Sequence, residues 1–264
     1  MSQPPSVPVA SATEPAGSPF ASLRDFVAMP RIGALALSAD GSRLAVSVQT
    51  LDPEKKKWQS ALWEVDPAGQ RTARRLTRSA PGESSPVWAP DGSLLFTSAR
   101  PDPAATENGD PEPALWSLPA EGGEARLVLS RPGGLASVAV ASDSGDVVVS
   151  AATMRGGSPA ETDRELRTKR KDAGVSAILH ESYPVRRWDH DLGPAVPHLF
   201  WAGQPPAEEP ATGAEVVELR DLTPEAGPAA GAGEDMTLSP DGRLLARSEE
   251  VDHGPAGRRS RLVV

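Results

Sequence analysis

The chain has 264 residues, 27 of them basic and 36 acidic, for a formal net charge of −9, and it has no cysteine. That length admits one large all-β domain or two ordinary domains. The missing cysteines exclude disulfides, thiolate metal sites and a cysteine nucleophile, and the acidic balance, with no basic cluster on a recognisable motif, argues against nucleic-acid binding.

Residues 1–19 hold mainly Pro, Ser and Ala, with a single acidic residue at Glu14. Without a basic start or an apolar core they are no signal peptide. They read as a disordered leader. No run approaches the roughly 20 apolar residues that span a bilayer, so a soluble, cytoplasmic protein with no membrane partner is expected. Phe20 to Met29 reads as a short helix or turn, with Ser22 as N-cap before Leu23.

From residue 37 onward one phrase recurs. It reads Leu-Ser-Ala-Asp-Gly at 37–41, Trp-Ala-Pro-Asp-Gly at 88–92, Ala-Ser-Asp-Ser-Gly at 141–145 and Leu-Ser-Pro-Asp-Gly at 238–242. The aspartates at 40, 91, 143 and 241 lie 51, 52 and 98 residues apart, so the last gap spans two periods. Each phrase reads as a tight turn between two strands. Pro presets φ, Asp bonds its own backbone, and Gly takes the positive φ that closes the turn. A period of about 50 residues is that of a four-stranded propeller blade.

A second echo follows each hairpin. Leu62-Trp63-Glu64-Val65 runs through Gly69 to Arg75-Leu76-Thr77, and Leu115-Trp116-Ser117-Leu118 runs through Gly122-Gly123 to Arg126-Leu127-Val128. A third copy, Leu199-Phe200-Trp201, leads through Val216-Val217-Glu218-Leu219 to Leu222-Thr223. These predict the third and fourth strands of each blade, with the Trp filling the gap between stacked sheets. The continuous apolar runs Leu94-Leu95-Phe96 and Val147-Val148-Val149 predict inner strands buried on both faces.

The blades fall at about 32–77, 83–130, 135–223 and 235–264, all within one domain from residue 20 to 264. The third blade is interrupted. Ser158-Pro159-Ala160-Glu161 reads as a capping-box start, with Ser158 as N-cap and Pro159 in the first helical position. Acids precede bases through Lys171, as the helix dipole favours. A short, exposed helix near 159–172 is expected, its charges forming a solvated face or, alternatively, a docking surface. The last blade closes on Arg261-Leu262-Val263-Val264, where the Leu-Trp strand of earlier blades sits, so its fourth strand is missing and the chain reads as a fragment.

The Ser-Pro-Asp-Gly hairpins, the Leu-Trp strands, the charged inserted helix and Tyr183-Pro184-Val185-Arg186-Arg187-Trp188-Asp189 together resemble the N-terminal propeller of the prolyl oligopeptidase family, in its acylaminoacyl-peptidase and dipeptidyl-peptidase branches. The resemblance implies a C-terminal α/β-hydrolase partner domain with a Ser, Asp and His triad on a Gly-x-Ser-x-Gly elbow. That domain is missing from this chain, and no Gly-x-Ser-x-Gly occurs in it. The implied role of the chain itself is a non-catalytic lid that admits short peptides. TolB-like propellers share the hairpin phrase, so a stand-alone protein- or peptide-binding scaffold is the alternative.

Candidate chemistry within the chain is sparse, and an enzyme with its own site ranks last. His180, His190, His198 and His253 form no metal-binding spacing, and no cofactor or metal is expected. Trp188-Asp189-His190-Asp191 reads as a tight loop with solvated carboxylates, in which Asp189 caps a turn anchored by Trp188. Glu208-Glu209 and Glu249-Glu250 read as solvated acids. Arg186 and Arg187 are the substrate-contact candidates, able to bind a peptide carboxylate bidentately. Strand alternation puts them on opposite faces, so at most one serves a ligand, and a structural pair with a neighbouring acid is the competing role.

Overall fold

The computed structural model describes residues 20, 22–54, 56–101, 111–180, 185–205, 219–226, 236–252 and 258–264. The leader, Tyr183-Pro184, Glu208-Glu209, residues 216–218, Asp235 and His253 lie outside them. Helix α1 (Leu23–Ala28) opens with Ser22 accepting from the Asp25 amide, as expected.

Four antiparallel sheets follow in a propeller arrangement. The first blade is β1 (Arg31–Leu37), β2 (Leu44–Leu51), β3 (Trp58–Val65) and β4 (Arg74–Arg75), and the second is β5 (Ser84–Trp88), β6 (Leu94–Ser98), β7 (Ala114–Leu118) and β8 (Arg126–Leu129). The third begins with β9 (Leu135–Val140) and β10 (Val147–Met154). It is then interrupted by helix α2 (Ala160–Asp172) and a separate hairpin, β11 (Arg186–Arg187) with β12 (His190–Asp191). It resumes as β13 (Ala195–Gly203) and β14 (Arg220–Asp221), and β13 pairs with β10 across the insertion. The fourth sheet is β15 (Met236–Leu238), β16 (Leu245–Asp252) and β17 (Arg258–Val263).

The first strands stand side by side, with β5 against β1, β9 against β5 and β15 against β9. The blades therefore stack face to face. One core layer lies between blades one and two, where Ala45 and Leu62 meet Trp88, Leu94, Phe96 and Trp116. Another lies between blades two and three, where Leu95, Leu115 and Leu129 meet Val147, Val149 and Phe200. The apolar runs of β6 and β10 are thus second strands, sandwiched by a neighbouring blade on each face. Trp116 fills its joint as its spacing predicted, and its indole donates to the Ser98 carbonyl at 3.1 Å.

The repeated phrase closes the hairpins as its chemistry dictates. Asp40 accepts from the Ser38 hydroxyl at 2.6 Å and the Ser42 amide at 3.0 Å, and Asp241 accepts from Ser239 at 2.6 Å and the Arg243 amide at 3.1 Å. The Ser38 hydroxyl and the Ser42 amide and hydroxyl lower the Asp40 carboxyl to about 2. Gly41, Gly92 and Gly242 adopt φ of 71°, 80° and 73°, a region that costs a side-chain-bearing residue strain.

Polar clips join neighbouring blades. The Trp88 indole donates to the Ala36 carbonyl at 2.9 Å, and the Arg43 guanidinium lies 4.2 Å over the Trp88 ring while donating to Glu64 at 2.7 Å. Fully buried Glu83 accepts from Thr77 at 2.6 Å, Ser79 at 2.5 Å and Arg100 at 2.8 Å, the partners a buried charge requires. The amides of Asp143 and Ser144 donate to the Pro240 carbonyl at 2.9 and 3.1 Å, tying the third hairpin to the fourth.

Two expectations change. Glu249, expected as a solvated acid, lies within β16 and receives Arg261 at 2.8 Å and Arg247 at 3.1 Å. The capping box at α2 does not form: Pro159 is the N-cap, with no side-chain cap bond. The Ser158 hydroxyl instead donates to the Asp221 carboxylate, a charge-assisted bond stronger than a neutral one.

Phe96 is wholly buried between blades one and two. Phe96→Ala is expected to destabilise the fold by about 3–5 kcal/mol, through lost transfer energy and an unfilled cavity. Urea titration followed by circular dichroism checks this.

Candidate functional site

The insertion in blade three is where the chain departs from its own repeat, and a buried polar cluster fastens it. Asp163, in the first turn of α2, is fully buried. Its carboxylate accepts from the Met154 amide at 2.8 Å and from Arg167 at 3.1 Å. Arg167 also donates to the Ala152 carbonyl at 2.5 Å. One face of the helix is therefore docked on the end of β10, and the rest carries solvated pairs such as Lys169 with Glu165 at 3.2 Å.

Beside this lies Asp221 on β14. Its carboxylate receives the Ser158 hydroxyl, lies 2.7 Å from His198 Nδ1, and accepts from the Thr223 amide at 2.8 Å. Burial opposes its ionisation, but the bonds from Ser158, His198 and Thr223 outweigh that and hold it below the usual carboxylate range. An ionised carboxylate only accepts, so His198 Nδ1 carries a hydrogen. Arg131 completes the cluster. It donates at 2.8 Å to both the Gly157 and Ser158 carbonyls and lies 3.9 Å from the Phe200 ring centroid. Burial lowers its guanidinium from the ordinary value, and Asp163 and Asp221 counter that.

Ser, His and Asp are the residue types of a hydrolase triad, but the wiring here is different. A nucleophilic serine needs its hydroxyl on the histidine and the histidine's other nitrogen on the acid. Here Ser158 and His198 both turn to Asp221, so nothing activates Ser158. The cluster pins the segment before α2 to the outer strand of the blade. Sequence reading missed it because Ser158, His198 and Asp221 are far apart in the chain and match no motif. The one local signal is Asp221-Leu222-Thr223, where the Asp caps the Thr223 amide.

The sequence candidates lie beyond this cluster, on the β11–β12 hairpin. Arg186 is exposed, lies 3.5 Å from Asp191, and donates to the Trp188 and Asp189 carbonyls at 3.3 and 3.2 Å. Arg187 pairs with His190 in the register. Trp188 does not anchor the turn by packing: it is 95% exposed at the tip, with φ of 49°. A two-residue turn forces its side chain outward. Val185 and Leu179 are exposed on the same insertion. Among the described residues no three His, Asp or Glu side chains gather as a metal site, and no helix is long and apolar enough to cross a membrane.

No protein-family model matches the sequence, and no curated protein matches it. Solved structures do share its fold. The acylaminoacyl peptidase of Pyrococcus horikoshii overlays with a TM-score of 0.52 at 12% identity, over 89% of this chain and 30% of that one. The AtxE2 isopeptidase gives 0.46 at 14% identity, over 89% and 39%. A TolB from Agrobacterium tumefaciens gives 0.39 at 13% identity, over 73% and 49%. The last two overlays are too loose to carry weight, and the first establishes a propeller fold. The chain spans about 30% of the length of that peptidase.

The depressed Asp221 carboxyl sets a pH dependence. Its contribution to stability is present above the unfolded Asp value of about 3.9 and is lost as pH falls through its lower folded value. Asp221→Asn is expected to lower the urea midpoint at pH 7, and the gap to the wild type is expected to shrink as the solution is acidified below that range.

Proposed function

We propose that this chain is the non-catalytic propeller portion of a prolyl-oligopeptidase-like serine peptidase, gating the access of short peptides to a hydrolase domain supplied outside these residues. The observation that carries this is the overlay of its blades on the acylaminoacyl peptidase across 89% of its length. Blades stacked around a common axis leave a channel bordered by their first strands, and a channel admits an extended short peptide while excluding a folded protein. The wiring of Ser158, His198 and Asp221 agrees, since it leaves Ser158 without an activating base. On this reading, the exposed hairpin bearing Arg186 and Arg187 is where a peptide carboxylate is met.

The second reading, a TolB-like scaffold for proteins or peptides, is favoured by one observation: Trp188 and Leu179 stand in solvent on the insertion, and exposed aromatics are the usual anchors of an interface.

Assays of peptide hydrolysis separate the two. The 264-residue chain alone is expected to release nothing from an N-acylated chromogenic dipeptide. The native gene product is expected to cleave it, to react with a fluorophosphonate probe for active serines, and to spare folded protein. A native product that neither cleaves nor reacts leaves the scaffold reading.

A further inference from the structure

Basic residues are spread unevenly between the strands. Three long stretches, 101–113, 204–219 and 222–235, contain no Lys or Arg, whereas four of the five residues from 167 to 171 are basic. Those five lie in the last part of α2, and the segment that follows is open. Every residue from Lys171 to Ala177 is exposed, and none belongs to a strand.

What fastens α2 lies toward its other end. Asp163 is the buried residue of the helix, and it is held by the Met154 amide and by Arg167, which also donates to the Ala152 carbonyl. Beyond Arg167 no side chain of α2 is buried. The end of the helix is closed by local bonds. The Ala173, Gly174 and Val175 amides donate to the Lys169, Lys171 and Arg170 carbonyls at 3.0, 3.0 and 3.2 Å, and the Arg170 guanidinium donates to the Ala177 carbonyl at 2.6 Å. Unwinding the last turn breaks these four bonds and uncovers no buried side chain, so it is a local opening that leaves the blades folded.

Backbone that is exposed, rich in small and polar residues and free to open is where an endopeptidase cuts. Ala173-Gly174 and Ser176-Ala177 supply such backbone, and Lys169, Arg170 and Lys171 supply the cation for an enzyme whose specificity pocket carries an acid. Bases in the tight turns are held instead. The Lys56 and Lys57 amides both donate to the Asp52 carboxylate, and the Arg71 amide donates to Asp66. Arg186 and Arg187 lie in a ladder closed by a two-residue turn, whose carbonyls Arg186 itself binds.

We propose that the end of α2, from Lys169 to Asp172, is a processing site for an endopeptidase specific for basic residues, and that its cut yields a two-piece propeller. One water is consumed: the carbonyl carbon of the basic residue becomes a carboxylate, and the next residue gains an ammonium terminus. The pieces stay joined, because β10 and β13 lie on opposite sides of the cut and pair over eight positions. Ser158 of one piece is bonded to Asp221 of the other, and Arg131 lies over Phe200 across the same joint. What changes is the insertion, whose β11–β12 hairpin is then covalently attached through β13 alone. Cleavage here is independent of the peptidase reading, since it concerns what cuts this chain and not what the chain helps to cut.

Trypsin at a low ratio, acting on the folded 264-residue chain, is expected to give first two fragments that meet between residues 169 and 172, read by mass in denaturing solvent. The undenatured digest is expected to keep the elution volume and circular dichroism of the uncut chain. Lys169→Gln, Arg170→Gln and Lys171→Gln together, all beyond the docked part of the helix, are expected to abolish that cut and prolong the life of the intact chain, with an unchanged circular dichroism spectrum. The native gene product is expected to be cut at the same place. A first cut elsewhere, pieces that separate after the cut, a triple variant degraded as fast as the wild type, or a native product that resists there would each overturn the proposal.

Discussion

The structure depends on one constraint: the middle strands of the second and third blades are buried on both faces. A half-exposed antiparallel sheet alternates apolar and polar residues, with one face in water. β6 and β7 do not alternate, and every residue of both is buried. Such strands are stable only between two other sheets, so the fold is set by stacking. Blade one, covered on one side only, shows the consequence in its first strand, where Ile32, Leu35 and Leu37 remain exposed.

Stacking of flat apolar faces does not by itself fix register, because apolar contact has little directionality. The polar clips supply it. The Trp88 indole on the Ala36 carbonyl and Arg43 on Trp88 and Glu64 define one position of blade two against blade one. A second device recurs within blades. Thr77 accepts from the Leu62 amide and Thr223 from the Leu199 amide, both at 2.9 Å, at the point where the outer strand joins the third. The short outer strands β4 and β14 are held by these hydroxyls as much as by their few ladder bonds.

The insertion follows a different logic. Its helix has a polar surface and cannot dock by hydrophobic burial, so ionic groups take that role. A buried carboxylate is costly unless its lone pairs are filled, and Asp163 and Asp221 fill theirs with partners from β10, α2, β13 and the Ser158 segment. The apolar side chains of the insertion, Leu179 and Trp188, consequently face outward. The part of the blade that breaks the repeat is thus also the part that leaves large apolar side chains in solvent.

The sequence alone determined the blade period, the hairpin positions, the Leu-Trp third strands and the place of the inserted helix. All of these rest on contacts within about 50 residues, where turn chemistry at Asp-Gly and strand patterning act locally. The tertiary structure decided what is non-local. It turned Ser158 from a helix cap into a hydrogen-bond donor to Asp221, because that carboxylate is 63 residues away and arrives only when β14 pairs with β13. It placed Glu249 inside a strand, where Arg247 and Arg261 neutralise it. It left Trp188 in solvent, because a two-residue turn at a hairpin tip has nothing behind it.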